Sequence, residues 1–134
     1  MNKQIIENIK KEIKEMPEYK SGAINSIDWM DASQEIGKKF LLNLDETEIL
    51  QTETGLVLVG ASDLEQYITN VEDIGISKNE TMNLVKEIFD KIFEPIAKIT
   101  EENLKKSLNN MNIKWDQRMR FVLSGGDYSF FMKN

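Results

Sequence analysis

Gly55-Leu56-Val57-Leu58-Val59-Gly60 is the stretch on which the fold class turns. Four apolar residues between two glycines suit a short buried strand, and periodicity alone cannot separate strand from helix over so brief a run. No other segment offers that strand a convincing partner, so helix is the favoured reading and strand the alternative. Upstream, Asp45 followed by Glu48 reads as a capping arrangement for a helix that carries Ile49, Leu50, Glu53, Leu56 and Val57.

Downstream, Ser62-Asp63-Leu64-Glu65 and Ser77-Lys78-Asn79-Glu80 both fit the capping box, in which Ser caps and the third following Glu reciprocates. The first predicts a helix with Leu64, Tyr67, Ile68, Val71 and Ile74 in register, closed by a left-handed Gly75. The second predicts a longer helix through Leu84, Val85, Ile88, Ile92 and Phe93. Pro95 must kink or restart it, because proline lacks the N–H and collides with the preceding turn. Ile96, Ile99, Leu104, Leu108 and Met111 continue the pattern.

Toward the N-terminus, Ile5, Ile6, Ile9, Ile13 and Met16 recur at helical spacing until Pro17. Pro17 to Ser26 reads as a connector. Asp28 is placed to cap a helix with Trp29, Ala32, Ile36 and Phe40 on one face. At the other end Trp115, Met119 and Val122 fit a helical face closed by Ser124-Gly125-Gly126, with a short aromatic tail after it. A competing reading pairs Met119–Leu123 with Tyr128–Met132 as a small hairpin, 119–132 in all. The expectation is an all-α fold: one domain over residues 1–134, a bundle of six to seven helices. Its core is drawn from Ile9, Ile13, Trp29, Ile36, Phe40, Leu56, Leu64, Ile68, Val71, Leu84, Ile88, Ile92 and Phe93.

Composition narrows the chemistry. The chain has 134 residues, 40% hydrophobic and 30% charged, which is the make-up of a soluble globular domain. It has no Cys and no His, which removes disulfides, thiolate nucleophiles, imidazole bases and Cys/His metal sites. The longest apolar run, Leu56–Val59, is far short of a bilayer span, and the N-terminus shows no apolar signal core. A cytoplasmic protein without a membrane partner is the expectation.

Carboxylates are the acid–base groups left in quantity. Asp28, Asp31 and Glu35 share a helical face, and Asp45, Glu46 and Glu48 cluster at a helix start. Acids in a first turn are what the helix dipole favours, and no calcium-loop spacing accompanies them. The glycines build no phosphate cradle. No catalytic residue, metal site or cofactor is therefore expected, and the chain reads as a non-enzyme.

The formal charge of −6 is unevenly spread: residues 31–97 hold 5 basic and 14 acidic side chains, residues 98–134 hold 7 and 4. The acidic middle argues against generic nucleic-acid binding. Five of the chain's aromatics, Trp115, Phe121, Tyr128, Phe130 and Phe131, fall within 115–131 beside Lys114, Arg118 and Arg120. Trp115, Arg118, Arg120, Tyr128, Phe130 and Phe131 are the candidate partner-binding residues, since aromatics and Arg dominate interface hot spots. Core completion is the competing role for the same aromatics. The function expected is a protein-interaction or adaptor module that binds another protein or itself. The alternative is a nucleic-acid-associated protein, with residues 62–94 as a helix-turn-helix-like pair.

Glu35-Ile36-Gly37-Lys38-Lys39-Phe40, Glu53-Thr54-Gly55-Leu56-Val57-Leu58-Val59-Gly60, Ile74-Gly75-Ile76-Ser77 and Ile92-Phe93-Glu94-Pro95-Ile96 form a wider pattern, with Trp115-Asp116-Gln117-Arg118 and Leu123-Ser124-Gly125-Gly126-Asp127-Tyr128-Ser129 at its end. Over about residues 29–130 it resembles small uncharacterised all-helical proteins of candidate-phylum bacteria. The resemblance implies an all-α fold and helix at Leu56–Val59. It brings no activity, cofactor or catalytic residue.

Overall fold

The run at Leu56–Val59 closes a helix. In the computed structural model, which describes residues 2–109, the chain forms α1 (Asn2–Glu15), α2 (Glu18–Asn25), α3 (Trp29–Lys39), α4 (Leu44–Leu58), α5 (Leu64–Glu72), α6 (Lys78–Ile88), a π turn (Phe89–Phe93) and α7 (Glu94–Asn109). The described residues contain no strand. α6, the π turn and α7 are continuous, so six rods pack as one all-α bundle. The hairpin at 119–132 and the helix from Trp115 lie outside the described residues.

α4 is the axis, in contact with α1, α3 and α5. Its buried residues are Thr47, Leu50, Thr52, Thr54, Gly55 and Leu58, spread around the helix rather than along one stripe. A helix enclosed on several sides reads this way. Small side chains let its neighbours approach. A β-carbon on Gly55 would lie 2.9 Å from Ile9 Cδ1 of α1 and 2.9 Å from Trp29 Cη2 of α3. Val59 then ends the helix and Gly60, at φ +78°, turns the chain. Gly60 N–H donates to Val57 O and Ala61 N–H to Leu56 O, a Schellman closure that needs a left-handed residue. α3 ends the same way around Leu41 (φ 61°), where leucine takes the position glycine prefers.

Two helix starts are where the sequence put them. Asp28 accepts from Asp31 N–H at 3.0 Å and Ser77 from Glu80 N–H at 3.2 Å. Two others are shifted. α4 is capped by Asn43, not Asp45: Asn43 accepts from Glu46 N–H and Glu46 returns a carboxylate to Asn43 N–H, both at 2.8 Å. α5 is capped by Asp63, not Ser62, accepting from Gln66 N–H at 2.8 Å.

Pro17–Ser26 is not a connector but contains α2, held by Ala23 and Ile24, which are fully buried. Tertiary burial outweighs the turn signal of Ser21-Gly22. At Pro95 the restart is visible: Glu94 N–H donates to Phe89 O, five residues back. The widened turn leaves Pro95 at the start of α7, where a missing N–H costs little.

The core contains Ile9, Ile13, Trp29, Ile36, Val71, Leu84, Ile88 and Ile92 as expected, with Phe40, Leu56, Ile68 and Phe93 partly buried against it. Ala23, Ile24, Leu50, Leu58, Tyr67, Val85 and Ile96 complete it. Leu64 does not belong to it: as the first residue of α5 it is 42% exposed.

Two glycines should respond in opposite directions. Gly55→Ala gains helix propensity of about 1 kcal/mol, but its methyl collides with the buried Ile9 and Trp29, and overpacking costs about 1–3 kcal/mol. Net destabilisation is expected. Gly22, in α2, has nothing nearer its missing β-carbon than Asn103 Nδ2 at 3.9 Å. Gly22→Ala should stabilise by about 0.5–1 kcal/mol. Urea denaturation of both variants checks the pair.

Candidate functional site

An open groove of about 420 Å³ lies where the end of α4 and the start of α5 meet the π turn and α7. Leu58, Leu64, Phe93, Ile96, Ala97 and Leu104 make its surface apolar, and Lys20, Thr100 and Glu101 also line it. Leu58 and Ile96 are buried in the floor, while Leu64 and Ala97 are exposed.

Tyr67 supports this floor from beneath. It is fully buried, and its ring meets Phe93 edge-on, with centroids 5.5 Å apart and planes at 73°. Thr54 Oγ1 donates to Leu50 O at 2.7 Å and lies 2.9 Å from the Tyr67 hydroxyl. The single Thr54 proton is thus committed to the backbone, and Tyr67 is the donor in the pair. Burial pushes the Tyr67 phenol well above the usual tyrosine range; the Thr54 hydrogen bond lowers it, and the charge of Glu53 raises it again. Such a phenol is a neutral structural donor, not a base.

Elsewhere several ionisable groups are engaged in pairs. Glu87 of α6 accepts from Lys39 of α3 at 2.5 Å and from Lys91 at 3.2 Å. These bonds, Lys39 first, hold its carboxyl below the ordinary range. Around them Ala32, Glu35 and Ile36 complete a recess of about 330 Å³ whose two lysines and two glutamates balance.

The acids singled out in the sequence do not converge. Asp28 caps α3, Glu35 pairs with Lys38 at 3.7 Å, and Glu46 closes the box at α4. Among the described residues no group of three or more Asp and Glu is placed to hold a metal ion. No helix among them is long and apolar enough to cross a membrane. Trp115, Arg118, Arg120, Tyr128, Phe130 and Phe131 lie outside the described residues.

No family model, curated protein or solved structure matches this chain. The groove is accordingly defined by its own geometry. Sequence reasoning missed it because its residues come from five elements, and Leu64 was assigned to the core. Leu104, on the apolar face of α7 near its end, was the available signal.

The buried pair should show asymmetric costs. Tyr67→Phe removes one donor and is expected to cost about 1 kcal/mol, whereas Thr54→Val strands the buried phenol and should cost about 1–3 kcal/mol. The double variant should cost less than the sum, because both polar groups are gone. A double-mutant cycle by denaturant titration measures it.

For Glu87 the lowered pKa fixes the sign. The folded state holds the carboxylate charged more strongly than the unfolded chain does. Its stabilisation is therefore present above the ordinary carboxylate pKa and lost as pH falls through the lowered one. Glu87→Gln should lower Tm at pH 7, less so in high salt, with the gap closing in acid. Melting curves across pH, in low and high salt, test this.

Proposed function

We propose that this protein is a non-enzymatic protein-interaction module that works in the cytoplasm and uses the groove beside α7 to hold an apolar segment of a partner. The observation that supports this is the groove's surface: leucine, isoleucine, alanine and phenylalanine at an open site, without a cluster of ionisable groups directed into it. Exposed apolar surface of this kind, rimmed by Lys20, Glu101 and their neighbours, is the usual mark of a protein contact.

The nucleic-acid alternative has less behind it. The outward side chains of α6 alternate in sign through Lys78, Glu80, Lys86 and Glu87, and Glu87 binds both Lys39 and Lys91. A phosphate-binding face needs unopposed cations.

A photo-crosslinking residue at Ala97, within the groove, should capture a discrete protein in native extract. The same residue at the exposed Asn79 of α6 should not capture it. Capture should fall at least tenfold in Leu104→Glu, with the helical circular-dichroism signal retained. Capture that is equal at both positions, or unaffected by Leu104→Glu, overturns the reading. A salt-sensitive mobility shift with oligonucleotides would favour the alternative.

A further inference from the structure

We propose that the groove beside α7 receives the α3–α4 turn of a second copy of this chain, with Leu41 and Leu44 seated in the groove and Asp45 against Lys20. This names the partner of the site put forward above and rests on that reading.

The turn presents two leucines to the outside. Leu41 is 91% exposed and Leu44 81% exposed, while Leu42 between them packs against the core. Leu41 also sits at φ 61°, in the left-handed region that a bulky side chain rarely occupies. A glycine there would close α3 without strain and without exposing apolar surface. Leucine at this position thus costs stability and gains nothing inside the fold, and backbone strain of this kind collects where a protein makes functional contacts. Both side chains stand on fixed backbone. Leu42 N–H donates to Gly37 O at 2.9 Å and Leu41 N–H to Lys38 O at 3.0 Å, and the Asn43–Glu46 capping box holds the first turn of α4, which carries Leu44. Little conformational freedom is then lost on docking.

The groove is complementary to that turn. Its apolar lining suits the leucines, and Lys20 at its edge is half-buried yet has no ion pair among the described residues. Asp45, next to Leu44, is exposed and likewise has no ion pair among them. A carboxylate that arrives beside the leucines meets Lys20 among apolar neighbours, where salt screens the attraction less than at an open surface. The turn and the groove cannot meet within one chain. Leu44 opens α4 and Leu58, in the groove floor, closes it, so the two features lie about 21 Å apart along one helix. The contact therefore joins different surfaces of two copies, head to tail, and leaves one turn and one groove uncovered at the ends of an open assembly.

Sedimentation velocity on the purified full chain should show mass rising with concentration beyond the dimer. Leu41→Gly with Leu44→Ser should weaken association by about tenfold or more, while Tm holds or rises because glycine relieves the strained turn. A purely structural role for Leu41 would lower Tm instead. Leu104→Glu should weaken association similarly, with the helical circular-dichroism signal retained. At a concentration where each variant alone is monomeric, mixing the two should give a one-to-one complex, because one brings an intact groove and the other an intact turn. Lys20→Glu should also weaken association, and Lys20→Glu with Asp45→Lys should restore it. A wild-type chain that stays monomeric at millimolar concentration would overturn this proposal and only this one, because capture at Ala97 in extract tests the groove by itself. Association undiminished in the Leu41→Gly, Leu44→Ser variant, or a mixture that forms no complex, would likewise overturn it.

Discussion

The close approach of α1 and α3 to α4 at Gly55 is the constraint on which the packing depends. Ile9 and Trp29 both come within the space a β-carbon would need there. Without a side chain at that position, two helices can lean on the same turn of α4. α3 is then fixed by further contacts: Gln51 Nε2 donates to Met30 O at 2.9 Å, and Thr47 packs against Gly37. On the opposite flank Asn70 Nδ2 donates to Glu53 Oε2 at 2.8 Å and ties α5 to the same helix. α4 thus organises three neighbours with small residues and short hydrogen bonds, while those neighbours bring large buried side chains such as Ile9, Trp29 and Tyr67. The burial, to which Leu50 and Leu58 of α4 also contribute, and the close approach at Gly55 are both required.

Much of this was legible in the sequence, and the limits are physical. Asp28 and Ser77 were readable because each cap acts within one turn and its donor is set by backbone geometry alone. Asn43 and Asp63 were misplaced by one or two residues because several cap-competent side chains stand side by side, and only the entry angle of the chain selects among them. α2 was invisible for another reason. Its sequence prefers a turn locally, and what makes it a helix is the burial of Ala23 and Ile24 and the bond from Asn103 Nδ2 to Tyr19 O, 84 residues away. Pro95 was read correctly as a restart, but the π turn that accommodates it depends on how the rod must pass both α3 and α2. The groove was illegible as a site, since Leu64 has the pattern of a core residue and only the packing leaves it at an edge.

Several polar side chains inside and between the helices of the described bundle are spent on structure. Tyr67 and Thr54 satisfy one another inside, Glu87 joins α3 to α6, and Asn103 joins α7 to α2. Groups committed in this way are poorly placed for acid–base work, because their protons and lone pairs already have partners. The groove beside α7, by contrast, presents apolar surface. That contrast gives the interaction reading its force.

The origin of that surface is a mismatch of lengths. α2 has 8 residues and α7 has 16, so at helical rise the cover is about 12 Å long and the helix beneath it about 24 Å. α2 packs along α7 from Gly22 beside Asn103 toward Lys106 and Ser107. Among the described residues, the flank of α7 between α2 and the start of α5 is left with Ala97 exposed and Leu104 half-buried. α2 does not extend over this gap, because Pro17 fixes its start and Ser26, whose hydroxyl donates to Ala23 O, fixes its end. α5 cannot close it either, since Asp63 sets its first turn and leaves Leu64 at the rim. The groove is therefore a consequence of where three helices are capped, and its apolar lining is continuous with the core because Ile96 and Leu58 belong to both.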